Sequence, residues 1–119
     1  MRDFQVYVED IIDAINSITA YTKGLTYEQF VSDRKTVDAV IRNFEIIGEA
    51  TKHIPLAVRR EYPKVPWRDM AGMSDKLIHG YFWVQLDVVW KTIKERLPVV
   101  QPLVVEALAE MNRKEDKSA

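Results

Sequence analysis

A chain of 119 residues, 47% of them hydrophobic and only four of them glycine, has the makings of one compact, ordered core. The absence of cysteine excludes disulfides and thiolate metal sites, and two histidines, His53 and His79, are too few for a His-based metal site within one chain. A formal net charge of −1 provides no global attraction to nucleic acid, so an RNA partner would require a local basic patch.

Near the N-terminus, Glu9, Asp10, Asp13 and Asn16 interrupt what would have to be an apolar run in a secretory signal. No window approaches the ~18–20 apolar residues that span a bilayer. The expectation is a soluble, cytoplasmic protein with no membrane partner.

Phe4, Val8, Ile11, Ile12, Ile15 and Ile18 recur at three- and four-residue steps, predicting an amphipathic helix from about Arg2 to Tyr21. Gly24 is a plausible stop. Thr26-Tyr27-Glu28-Gln29 fits a capping box for a short helix. Ser32 or Asp33 can cap the next long helix, which carries Val37, Val40, Ile41, Phe44, Ile47 and Ala50 and runs to about His53 before Pro55. Opposite that stripe, Arg42, Glu45, Glu49 and Lys52 form a charged row. It reads either as a solvated face or, at Arg42 and Glu49, as one wall of a cleft. Gly48 within this helix suggests close approach of a second helix. His53 reads as a structural partner of the helix dipole.

Pro55, Pro63 and Pro66 bracket a short helix from Leu56 to Glu61 and a turn. Leu86, Val89, Trp90, Ile93 and Leu97 mark another amphipathic helix, which Pro98 and Pro102 are expected to kink or restart. Its apolar stripe continues to about Met111. No strand-like alternation or internal repeat is present. The pattern predicts an all-α, up-and-down bundle of four main helices with short additional ones. Residues 1–112 form the single domain, and 113–119 a charged, frayed tail. Aromatics and valines near helix ends exceed what one small bundle needs, so a homodimer is expected.

The chemistry concentrates between Asp69 and Phe82. Asp75 and His79 lie four residues apart, on one face of a helix, where the carboxylate can orient or charge the imidazole. Gly80 can end that helix and allow Tyr81 to swing to the same side. A histidine can act as general acid or base near neutral pH. RNA cleavage needs such a base for the 2′-hydroxyl and a cation for the charge developing on phosphate. A histidine near a helix end is also commonly structural, and Tyr81 can equally be a packing residue.

Pro66-Trp67-Arg68-Asp69-Met70-Ala71-Gly72-Met73 followed by Asp75-Lys76-Leu77-Ile78-His79-Gly80-Tyr81-Phe82 resembles the signature of the HEPN superfamily, in particular its HepT-like toxins. Ile46-Ile47-Gly48-Glu49-Ala50 and the Val89-Trp90 to Leu97-Pro98 stretch are similar to the same group. The resemblance implies an all-α HEPN-like bundle that dimerises, so that two Arg-x4–6-His motifs share a cleft that cuts RNA without metal or other cofactor. It also implies a toxin–antitoxin pair of type VII-like organisation, whose small MNT-type nucleotidyltransferase antitoxin transfers AMP to a tyrosine two residues after the histidine.

On this sequence the family histidine falls on His79, the modified tyrosine on Tyr81 and the polar motif residue on Asp75. The motif arginine falls on Ser74. A serine hydroxyl cannot make the charged, bidentate phosphate contact of an arginine, so a rate lowered by orders of magnitude is expected at this position. Arg68, Lys76 and Arg42 are the candidate RNA or phosphate contacts. Trp83 stands where a small glycine is common in similar chains. The alternative, of a different class, is a non-catalytic helical module that binds the nucleotidyltransferase or a nucleotide. A purely structural helical dimer is the third reading.

Overall fold

The computed structural model describes residues 4–78 and 85–118, with all their side chains except those at 74, 76–78, 117 and 118. The described elements are α1 (Phe4–Thr22), α2 (Tyr27–Ser32), α3 (Arg34–Lys52), α4 (Leu56–Glu61), α5 (Trp67–Ile78), α6 (Leu86–Lys91), a π-helical turn at Thr92–Arg96 and α7 (Leu97–Ser118). All regular structure among the described residues is helical.

Local sequence sets the helix ends. Gly24 adopts φ +79°, a left-handed conformation that L side chains resist, and turns the chain after α1. The Thr26 hydroxyl accepts from the Gln29 N–H at 3.1 Å while the Gln29 side chain accepts from the Thr26 N–H at 2.9 Å, completing the expected capping box of α2. Asp33 serves two helices. Its N–H donates to Phe30 O at the end of α2, and its carboxylate accepts from the Thr36 N–H (3.2 Å) and hydroxyl (2.7 Å) at the start of α3.

The core follows the predicted stripes. Val8, Ile11, Ile15 and Ile18 of α1 meet Val37, Val40, Phe44 and Ile47 of α3, and Val100, Val104, Ala107 and Met111 of α7 join the same cluster. α3 packs most extensively against α1 and α5, α1 also packs on α7, and α2 bridges α3 and α6. Phe30, fully buried, is the plug that α2 contributes. Gly48 is buried in α3, the helix that lies against both α1 and α5. The buried threonines Thr22 and Thr51 return their hydroxyls to Ile18 O and Ile47 O, so neither leaves an unpaired polar group inside.

Near the first of the two late prolines the helix changes form rather than ending. The backbone stays helical from Leu86 to Ser118 and widens to a π turn just before Pro98, where the Leu97 N–H donates to Thr92 O. Pro98 has no N–H, and its ring would crowd the carbonyl four residues back in a regular helix; a wider turn immediately upstream relieves that conflict. Pro102 lies inside α7. The helical backbone also includes 113–118, where composition suggests a frayed tail. Lys114 pairs with Glu61 at 2.9 Å, and the Gln5 Nε2 donates to Glu115 at 2.7 Å, tying this end to α4 and α1.

Candidate functional site

α5 begins where Pro66 closes a turn. The Trp67 N–H donates to Val65 O, the Met70 N–H to Pro66 O, and the Trp67 indole N–H to Tyr62 O at 3.0 Å. Trp67 and Met70 are buried and Met73 packs at the edge of the core, so one face of α5 is fixed inward. At its N-terminal end Asp69 faces Arg96 of the π turn at 3.6 Å. Asp75 projects from the opposite end into solvent.

Its partner comes from α3. Lys52 Nζ donates to Asp75 Oδ1 at 2.7 Å and lies 3.7 Å from Glu49 Oε1. The accepting Asp75 carboxylate holds the ammonium above its ordinary pKa; desolvation works against this, and the charges of Asp75 and Glu49 add to it. The end of α3 that presents Lys52 is itself well anchored. His53 caps the helix and stacks on Tyr7, ring centroids 4.8 Å apart at 15°. Arg59 donates to Thr51 O at 2.8 Å and to Ile54 O at 2.9 Å, satisfying carbonyls that a helix end leaves open.

The predicted residues are thus distributed unevenly. Asp75 meets the charged row of α3, but through Lys52. Arg42 pairs with Glu45 at 3.5 Å and is strongly exposed. Arg68 is exposed in the first turn of α5. Ser74 belongs to the backbone of α5, one residue from Asp75. His79, Gly80, Tyr81 and Trp83, and the side chains of Ser74 and Lys76, lie outside the described residues. Trp90, expected in the core, is half-buried. It packs on Phe30 at 5.1 Å and Tyr27 at 6.1 Å, with the Lys94 ammonium 4.6 Å above its ring.

Sequence reasoning missed the role of Lys52. The residue stood in a recognised charged row, but its partner is 23 positions away, and helical periodicity reports only neighbours three and four apart. A groove of about 460 Å³ lined by Phe4, Val58, Tyr62, Met111 and Lys114 lies elsewhere and includes neither Ser74 nor Asp75. Among the described residues no group of three His, Cys, Asp or Glu side chains could hold a metal ion, and no helix is long and apolar enough to cross a membrane.

Among the described residues the protein is a small helical bundle in which α3 and α5 are joined by the Lys52–Asp75 hydrogen bond. The chain belongs to the HepT-like ribonuclease family, whose profile, described as "Ribonuclease HepT-like", matches residues 11–107. It is 52% identical over 97 residues to the "Probable ribonuclease HepT" of Thermococcus cleftensis, covering 82% of this chain and 88% of that one. Two further relatives carry the name "Putative RNase". One, from Methanocaldococcus jannaschii, is 37% identical over 98% of this chain and 97% of its own. The other, from Caldanaerobacter subterraneus, is 40% identical over 91% and 96%. No solved structure matches the chain.

Proposed function

We propose that this chain is the toxin of a toxin–antitoxin pair, an endoribonuclease that acts as a homodimer of up-and-down four-helix bundles and cuts RNA without metal. The observation that carries this reading is membership of the HepT-like family over residues 11–107, a span that includes His79 and Tyr81. His79 takes the proton of the RNA 2′-hydroxyl, the 2′-oxygen attacks phosphorus, and the P–O5′ bond breaks as the leaving oxygen is protonated. Asp75 orients the histidine. Ser74, in the arginine's place, leaves the charge developing on phosphate without its bidentate partner, so the chain turns over slowly. A nucleotidyltransferase antitoxin neutralises the toxin by moving AMP from ATP to the Tyr81 hydroxyl with release of pyrophosphate. The added phosphate places negative charge where RNA phosphate must sit.

The experiment is RNA cleavage in excess EDTA by the protein, Ser74→Arg, and Ser74→Arg/His79→Ala. Restoring the arginine is expected to raise the rate by about 10²–10³, and removing His79 in that background to abolish it. Absence of cleavage by the Ser74→Arg protein would overturn the catalytic reading. With the partner enzyme and ATP, the protein should gain the mass of one AMP and Tyr81→Phe should not; gain of that mass by Tyr81→Phe would assign the modification to another residue.

One observation favours a second reading, a non-catalytic module for the nucleotidyltransferase or a nucleotide: Ser74 replaces the arginine on which the chemistry depends. On that reading Ser74→Arg binds the partner unchanged and cuts nothing.

A further inference from the structure

We infer that Lys52 is a positioning residue of the ribonuclease site, acting through Asp75; the inference rests on the catalytic reading above. Three observations meet here. The first is the anchoring of the α3 terminus. Thr51, fully buried, returns its hydroxyl to Ile47 O at 2.7 Å, Arg59 holds the carbonyls of Thr51 and Ile54, and His53 is stacked on Tyr7. The base of the Lys52 side chain therefore starts from a fixed point. The second is the contact itself: a 2.7 Å charge-assisted hydrogen bond from Lys52 to Asp75 that joins α3 to α5. The third is the place of Asp75 in the sequence, next to the position of the motif arginine and four residues before His79.

The pair acts on a reaction at phosphate through the carboxylate: it fixes the direction of Asp75, the group that orients the histidine. Stability is not its purpose. The Lys52 and Asp75 side chains are 39% and 62% exposed, and ion pairs so exposed contribute little to folding. A change in rate on removing Lys52 is therefore separable from a change in fold.

The test uses full-length protein carrying Ser74→Arg, so that turnover is measurable. Adding Lys52→Met is expected to lower kcat about tenfold to a hundredfold with little change in KM or thermal midpoint, and Lys52→Arg to keep most of the rate. Because Lys52 acts through Asp75, Lys52→Met should cost nothing further in an Asp75→Asn background. An unchanged kcat in Lys52→Met overturns the inference and leaves the ribonuclease reading intact. So does a loss that appears only in KM, one that adds in full to that of Asp75→Asn, or one that tracks a fall in thermal midpoint. Absence of cleavage in every Ser74→Arg protein overturns the ribonuclease reading, and the inference with it.

Discussion

Asp33 shows how much a single exposed side chain can organise. Its hydrogen bonds from the Thr36 hydroxyl and N–H hold its carboxyl below the ordinary value of 3.8. A carboxylate whose folded pKa is depressed stabilises the protein above its unfolded pKa, and that stability is lost as pH falls through the folded value. Asp33→Asn keeps an acceptor for the Thr36 N–H but cannot titrate; Asp33→Ala loses the cap altogether. Urea midpoints at pH 7 and pH 3 should show Asp33→Ala least stable at pH 7, with both variants losing less than the parent on acidification. Equal acid sensitivity in all three would remove the cap from the account. This cap and the Thr26–Gln29 box were legible in the sequence because donor and acceptor sit three residues apart on one chain segment. The Lys52–Asp75 bond was not, because it exists only once α3 and α5 pack.

At the scale of elements, periodicity identified the helices and their inward faces well, since burying an apolar stripe is what stabilises a short helix. Periodicity could not show the π turn at Thr92–Arg96, where the apolar stripe continues while the backbone absorbs one residue's mismatch before Pro98. Two glycines separate backbone effects from packing. An added Cβ would meet nothing within 4 Å at either Gly24 or Gly72, yet only Gly24 has positive φ. Gly24→Ala should therefore destabilise by about 1 kcal/mol, through strain alone. Gly72→Ala, inside α5, should stabilise by about 0.5–1 kcal/mol through helix propensity. Chemical denaturation of both variants checks the pair, and a destabilised Gly72→Ala would mean that this face of α5 is covered in solution.

For the whole molecule, the question is whether one copy is complete. α6 and α7 leave Val88 and Val99 52% and 61% exposed, on the helices that follow the segment carrying His79 and Tyr81. A solvent-exposed valine alone is unremarkable; two on the helices that follow this segment suit a surface that a second copy would cover. A stable dimer needs roughly 1,200–2,000 Å² of total buried surface, centred on apolar side chains. Light scattering should accordingly return twice the 13.9 kDa of the chain. Val88→Glu/Val99→Glu should shift the population to monomer, since burying two unpaired carboxylates is costly. Both side chains are more than half exposed, so helical content should persist. If cleavage by the Ser74→Arg protein requires two copies, the same double variant introduced there should lose activity in proportion to the fraction of monomer, and raising protein concentration should recover it. A dimer unaffected by both charges would place the interface on another face, and a monomeric mass for the parent protein would remove the shared cleft altogether.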